Sequence, residues 1–488
     1  MAKTDALTIL APREGIAQSP HIGFGDVRNL DIDSIPGIAQ LNTIMTKKSG
    51  ATVDAQIKWI VRDPVTTANF FAVDSNGSVY NSSDSGATWA ELSDRDGSGQ
   101  GLAIWKDYLF VCETTTIDVY GPLSGAAAWT NNWKTIDTDS DWHPLFVSKN
   151  DGKLYGGAGR FVFSVEENSG QTFAPATAAS FTFTAQALDL ASPYKIKCLE
   201  ELGNNLMCGT WQGTNIYDVR EAVIFPWDRS SVSYGQPIQM AEYGVHAMHN
   251  SGNVLYVLAG IEGVIYKSDG VNAYPIARLP QDLSGGKYLE WYPGAICTFK
   301  RKIFVGVGNG GSTAISGQGV FSLNQTGKGN VLNLEHLNSQ LTDGSAAPVK
   351  ISALCPVTKE TLMLGWRSDT SYGIDVSSAT SFAYTTDYSG FFESPLYVVG
   401  NIKNPKKFEY LVLNLGKKLA TGEGIRVKYR TNLSETFSTA GTFTYSELGA
   451  VISHTVIADI PSCETLQIRV EFLGTSTTTP QFKSLVLV

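Results

Sequence analysis

From Gln56 onward the chain alternates short apolar runs with tight polar turns, and the runs come in sets. One set reads QIKWIVRDP, NFFAVD, GSVYNSS and TWAEL; the next reads GLAIWKD, YLFVCET, TIDVYGP and NWKTI. Further sets begin at PLFVSKN, KIKCLEELG, VHAMHNSG, GAICTFKRK and ISALCPV. Short runs bounded by Gly, Asn, Asp and Pro predict strands and hairpins. Anchoring the second run of each set on Phe70, Leu109, Leu154, Leu206, Leu255, Ile303 and Leu362 gives gaps of 39, 45, 52, 49, 48 and 59 residues. That is the period of a four-stranded propeller blade with insertions. The expectation is an all-β chain with a seven-bladed β-propeller over residues 55–387, closed into a ring that removes most free strand edges.

Two segments break the period. Residues 1–54 are rich in Gly, Pro and Asp and predict an extended leader, a docking or ring-closing segment in which Ile38 to Met45 can add one strand elsewhere. Over residues 388–488 the runs alternate with period two. Ile425, Val427 and Tyr429 face one way and Arg426, Lys428 and Arg430 the other; Ile468, Val470 and Phe472 oppose Gln467, Arg469 and Glu471. One buried and one wet face predict a C-terminal β-sandwich, jelly-roll-like. The cationic stripe reads as a solvated face or as one that meets an acidic neighbour.

The turn Val79–Leu92 carries Ser82-x-Asp84-x-Gly86-x-Thr88-Trp89, the S-x-D-x-G-x-T-W spacing of an Asp-box. Each residue has a mechanical part. Ser and Asp side chains take up turn N–H groups, Gly supplies a positive φ, and Trp opens the next strand as a buried anchor. A degenerate copy lies in the third set as Asn168, Gly170, Thr172 and Phe173, with Glu166 in the Ser place. The box resembles those of sialidases and other propeller proteins. In this chain it predicts a structural hairpin staple.

Composition adds limits. The chain has 488 residues, 43% hydrophobic and 17% charged, with 48 glycines, which suits a globular protein of many short strands. A formal charge of −9 disfavours a general nucleic-acid binder. The six cysteines are scattered in apolar runs and read as reduced core thiols. No run is long enough for a signal peptide or a membrane span, so no membrane insertion is expected.

The chain carries little that matches a catalytic constellation, and the expectation is a non-enzyme without cofactor, metal or catalytic residue. A sialidase needs three inner-strand arginines, a Tyr–Glu nucleophile pair and a general acid. The inner strands here carry Trp59, Trp105, Phe146, Cys198, His246 and Cys297, with Arg62 at one strand end. His246 and His249 fall on opposite faces of a strand, which rules against a shared metal. Asp137, Asp139 and Asp141, and Asp94-x-Asp96-Gly97, are fragments of calcium-loop spacing without the distal Glu. Gly306-x-Gly308-x-Gly310-Gly311 opens no helix and so lacks a phosphate-binding dipole. The remaining candidates are aromatic. Trp129, Trp133, Trp142, Trp227 and Trp291-Tyr292 either pack the blades or serve binding and subunit interfaces.

The leader SPHIGFGDVRNLDIDSIPG, the unit GLAIWKDYLFVCETTTIDVYG and the ending GIRVKYRTNLSETFSTAGTFTY with LQIRVEFLGTSTTTPQFKSLVLV together resemble tail proteins of double-stranded-DNA bacteriophages, of the propeller-bearing nozzle and minor-tail type. The resemblance rests on arrangement over most of the chain. It implies a structural virion protein in a ring of identical subunits, a hexamer foremost, beside neighbouring tail or connector proteins, with DNA passing through the lumen without sequence-specific binding. It implies a place in the virion tail, assembled in the host cytoplasm. A tail-tip protein binding host surface glycans or a receptor is the alternative, and a sialidase-like glycosidase the third reading.

Overall fold

The computed structural model describes residues 6–12, 25–49, 53–93, 97–136, 142–212, 221–279, 288–309, 319–326, 329–337, 349–368, 371–382, 388–401, 403–445 and 452–488. Strands make up nearly all of their regular structure. The chain forms two compact units. One comprises Lys47–Gly319 and Thr342–Val376; the other comprises Met1–Thr46, Val320–Leu341 and Ser377–Val488.

The first unit is a series of antiparallel sheets, each a meander in sequence order. The first sheet has strands Ile57–Arg62, Phe70–Asp74, Val79–Ser82 and Ala90–Ser93, and the second Gly101–Trp105, Tyr108–Cys112, Thr116–Gly121 and Ala128–Thr135. The third has Leu145–Val147, Leu154–Ala158, Phe161–Glu167 and Phe181–Asp189. The fourth has Lys195–Leu202, Asn205–Trp211, Glu221–Trp227 and Ile238–Tyr243, and the fifth Val245–Asn250, Leu255–Ala259, Val264–Ser268 and Ala273–Arg278. A hairpin of Ile296–Phe299 and Lys302–Gly306 follows, and then Val349–Pro356, Leu362–Ser368 and Ser371–Ser377. The first strand of each set lies against the first strand of the next, and Val349–Pro356 lies against Ile57–Arg62. These innermost strands therefore follow one another in a closed order. Repeated four-stranded sheets stacked this way are the organisation of a β-propeller.

The second strands show why the sequence folds so. YLFVC is buried almost throughout because a sheet lies against each of its faces. Leu109 and Val111 join a core with Phe71 and Val73 of the first sheet, whereas Phe110 and Cys112 join one with Leu154 and Phe163 of the third. Alternate side chains of a strand point to opposite faces, so one apolar run serves two cores. Each of the seven anchors sits in such a second strand. The leader also contributes here: Lys48 N–H donates to Ile374 O, and Ile374 N–H donates to Ser49 Oγ, along the edge of Ser371–Ser377.

The second unit holds two sheets. In one, Leu7–Leu10, Phe482–Leu487, Tyr410–Leu415 and Ser453–Ile457 are neighbours in that order. In the other, Asp26–Arg28, Gly390–Glu393, Thr465–Leu473, Gly424–Arg430 and Ser438–Thr444 pair antiparallel, and Arg28 pairs in parallel with Leu334. Phe482 of the first sheet meets Phe392 and Phe472 of the second. The Arg426, Lys428 and Arg430 stripe finds its acids within its own sheet. Arg426 and Lys428 pair with Glu471, and Arg469 and Arg430 with Glu393.

Candidate functional site

The Asp-box forms the turn between the third and fourth strands of the first sheet. Asp84 accepts from Ser82 Oγ (2.8 Å), Thr88 N (2.9 Å) and Thr88 Oγ1 (2.6 Å), while Ser82 Oγ accepts from Gly86 N–H at 2.9 Å. Those bonds hold the Asp84 carboxyl below its usual range, the Thr88 hydroxyl contributing most. Trp89 is buried in a core shared with Met363, Cys355 and Ile374, so the box fastens the first sheet to the last. The degenerate copy works differently. Gly170 keeps its positive φ of 73°, but Glu167 rather than Asn168 accepts the Phe173 N–H at 2.7 Å. Asn168 instead accepts from Thr182 Oγ1 and donates to Ala179 O.

The aromatic candidates separate. Trp227 is buried with its N–H on Ser231 O, and Trp133 is half-buried with its N–H on Pro175 O. Trp129 stacks on Tyr120. Trp291 is buried and its N–H has no acceptor. His246 and His249 face different surroundings, as the strand period requires. His249 lies 3.7 Å from Glu200 and 2.8 Å from Thr298 Oγ1. Burial pushes His249 down to about 4 and Glu200 up to about 7. Asp94, Asp96, Gly310, Gly311 and the triplet Asp137, Asp139 and Asp141 lie outside the described residues. All six cysteines are free and buried. Among the described residues no three His, Cys, Asp or Glu side chains group as metal ligands, and no helix is long and apolar enough to cross a membrane.

A different set of residues converges. Four innermost strands carry a β-bulge near their N-terminal ends. In the first sheet Ile57 pairs with Asp74 and Trp59 with Val73, which leaves Lys58 as the extra residue. In the fourth, Ile196 pairs with Thr210 and Cys198 with Gly209, leaving Lys197. In the fifth it is His246, between Val245 and Ala247, and in Val349–Pro356 it is Ser352, between Ile351 and Ala353. A bulge re-aims its side chain out of the pleat. Here the re-aimed groups meet across sheets. Lys197 Nζ lies 2.7 Å from His246 Nδ1, and Ser352 Oγ donates to Ile57 O. Trp142, just ahead of the third sheet's first strand, stands among them. Lys58 Nζ is 4.6 Å and Lys197 Nζ 5.2 Å from its ring centre, and Lys197 is 5.4 Å from that of Trp211. Trp142, Tyr292 and Ala295 form one core with the half-buried Trp59 and Trp211.

The charges can be assigned. Tyr243 O lies 2.8 Å from His246 Nε2 and can only accept, so Nε2 carries the proton and Nδ1 accepts from Lys197. Burial, followed by the Lys197 ammonium, holds this imidazole well below its ordinary pKa, so it is neutral. Glu290 accepts from Tyr292 OH (2.5 Å) and Lys350 Nζ (2.8 Å). Burial, with Glu290 beside it, raises the Tyr292 phenol well above its usual range. The two ammoniums on Trp142 both lie within 5.2 Å of one ring centre. Their mutual repulsion is then about 2 kcal/mol or more at an effective dielectric of about 20. Cation–π attraction of about 1–2 kcal/mol each offsets it. Gly244 keeps this packing open: its φ is +81°, and a Cβ there would come within 2.9 Å of Trp211 Cβ. The signal for the cluster was present in the sequence as the triplets Ile57-Lys58-Trp59, Ile196-Lys197-Cys198, Val245-His246-Ala247 and Ile351-Ser352-Ala353.

No family model matches the sequence, and no curated protein does. Solved structures of similar arrangement include YCF48 from Cyanidioschyzon merolae, at 9% identity and a TM-score of 0.45, covering 68% of this chain and 98% of that one. Another is YCF48 bound to D1 peptide, at 11% identity and a TM-score of 0.43, covering 69% of this chain and 94% of that one. These are YCF48 structures and not phage tail proteins, and the tail-protein expectation, nozzle or tail tip, is corrected accordingly. The physical reason is that the resemblance rests on the arrangement of a leader, a propeller-like unit and a C-terminal ending of alternating strands, and an arrangement of folds does not fix one function. For the same reason no function is carried over from YCF48.

Proposed function

We propose that this chain is a non-enzymatic binding protein built on a seven-bladed β-propeller, with a β-sandwich in its other unit, and that it takes its ligand at the end of the propeller axis where the four bulged strands meet. The blade count is supported by the seven anchors in second strands and by the contact of the last innermost strand with the first. The sandwich is supported by Phe392, Phe472 and Phe482 packing between two sheets.

The observation that carries the binding reading is the shared bulge that turns Lys58, Lys197, His246 and Ser352 out of register at one end. Bulges disturb the ladder and recur where a side chain must be aimed. Binding rather than catalysis fits the state of the titratable groups. His246 is neutral with both nitrogens hydrogen-bonded, and Glu290 is held by Tyr292 and Lys350, so neither is poised to move a proton.

The test uses the full chain labelled with 5-fluorotryptophan. Its 10 tryptophans include three of this cluster, Trp59, Trp142 and Trp211. Fluorine spectra recorded against a panel of anionic, cationic and neutral small molecules should show hits that move these three resonances. A panel in which every hit moves other tryptophans, or in which none moves any, overturns the reading.

A further inference from the structure

We infer, independently of the axial site, that the strand Ser453–Ile457 is a docking edge for a second copy of this chain, the two strands pairing antiparallel about a two-fold axis at Thr455. Among the described residues it is the last strand of its sheet, beyond Tyr410–Leu415. A strand in that place offers main-chain groups that template another strand, and proteins blunt such edges with bulges, prolines and charges. This chain does so elsewhere. The outer strands Ala90–Ser93, Ala128–Thr135, Phe181–Asp189, Ile238–Tyr243 and Ala273–Arg278 each join their sheets through a register shift, and so does Ser438–Thr444. Ala273–Arg278 also carries Pro275. Ser453–Ile457 has none of these guards. It pairs with Tyr410–Leu415 without a shift, and its sequence, SHTVI, holds no proline, lysine, arginine or acid.

Parity sets which groups are free. Leu415 N–H donates to Ile452 O and Ala458 N–H to Glu409 O, at the two ends of this pairing. In an antiparallel ladder every second residue exchanges both hydrogen bonds with the residue opposite. His454 and Val456 therefore point theirs at Tyr410–Leu415, and Ser453, Thr455 and Ile457 point theirs outward. All three are exposed, Ile457 to 80%. Among the described residues no group bonds their main-chain N–H or C=O. This spacing is symmetric about Thr455. A two-fold axis there sets Ser453 opposite the partner's Ile457 and Thr455 opposite the partner's Thr455, and each such pair exchanges two hydrogen bonds. Threonine facing threonine is a favourable cross-strand pair. His454 and Val456 keep to the inner face, His454 against Phe443 and Val456 beside Gly441.

Charge and parity favour a second copy in this geometry. The chain carries a net charge of −9, which keeps copies apart except where their surfaces are neutral. This edge is neutral, and so is the outward face next to it, where Tyr410 stands beside Ile457, Val412 beside Thr455, and Val486 beside Val412. The opposite edge of the sheet, Leu7–Leu10, competes less well. Ala11 N–H donates to Lys483 O, so the same parity leaves only Thr8 and Leu10 pointing outward. A head-to-tail pairing sets three outward residues against two, whereas the two-fold pairing matches three to three and closes.

The experiment is sedimentation velocity of the full chain over a range of micromolar concentrations at physiological salt. The parent should show a concentration-dependent equilibrium between monomer and dimer. Thr455→Pro removes an outward N–H and leaves the pairing with Tyr410–Leu415 in place, so it should be monomeric. Thr455→Lys and Thr455→Glu each set like charges face to face on the axis and should weaken the dimer about tenfold or more. Mixed together, these two variants should dimerise again, because only a two-fold pairing sets residue 455 opposite itself. That mixture keeps the test decisive if Thr455→Pro fails to fold. A parent that stays monomeric throughout overturns the inference, whether or not the edge takes up a synthetic strand peptide. So does a dimer that all three variants retain in full, or a mixture that stays monomeric. Assembly that grows past the dimer with concentration overturns the two-fold pairing in favour of the head-to-tail one.

Discussion

Trp89 sits where two readings of the Asp-box diverge. If the box only tightens its own hairpin, truncating Trp89 costs a turn; if it fastens the first sheet to the last, truncation opens a shared core. Trp89 is 7% exposed and shares its core with Phe70 and Tyr80 of its own sheet and with Met363, Cys355 and Ile374 of the last. Removing a buried indole of this kind costs about 3–5 kcal/mol. A second substitution sharpens the test. The Trp89 N–H is buried with no acceptor, a state that costs about 1–3 kcal/mol. Trp89→Phe removes that burden while giving up part of the ring, so the two terms nearly cancel and the net change is about 1 kcal/mol or less. Urea unfolding of the two variants and the parent, followed by far-ultraviolet circular dichroism, reads both values. A Trp89→Ala variant as stable as the parent refutes the clasp. A Trp89→Phe variant as damaged as Trp89→Ala refutes the account of the unpaired N–H.

Two further outcomes follow from the same sheet. Gly86 has φ +82°, and a Cβ there would come within 2.2 Å of Met363 Cε; Gly86→Ala should therefore cost about 2–4 kcal/mol from backbone strain and overlap, and calorimetry should show part of it returned when Met363 is also cut to Ala. Asp74 is buried, accepts from Asn76 N, Ser78 N and Tyr80 OH, and is pushed up to about 6, chiefly by burial. A carboxyl raised in the folded state contributes stability that is present below its unfolded value and lost as pH rises through its folded one. Asp74→Asn should therefore gain on the parent by up to about 3 kcal/mol between about pH 4 and about pH 7; a gap that does not change with pH in denaturant melts rejects burial as the cause.

The period of the sheets was legible because burial on both faces leaves a continuous apolar mark. Runs such as FFAVD, YLFVC and LMLGW announce second strands packed between two neighbours. The grouping of the chain was less so. The leader and residues 320–341 join the C-terminal unit through pairings such as Arg28 with Leu334 and with Phe391. Contacts between residues so far apart in sequence leave no local pattern. The Arg426, Lys428 and Arg430 stripe was visible as an alternation, but its acids, Glu471 and Glu393, become neighbours only through strand order.

The axial cluster escaped period-two reading for a reason built into its geometry. Strict alternation sets Lys58 opposite Trp59 in facing, and Lys197 opposite Cys198, so each lysine reads as the polar side of a half-buried strand. A one-residue shift in register moves every later side chain to the other face. Each bulge makes that shift at Lys58, Lys197, His246 and Ser352, and returns the rest of the strand to its apolar contacts. A lysine in a strand is usually a solvated one; a lysine at a bulge has a second direction open to it. Lys197 shows the consequence most plainly. It is 7% exposed, hydrogen-bonded to a neutral histidine and seated over two indoles. Moving an ammonium so far out of water costs several kcal/mol before its partners act.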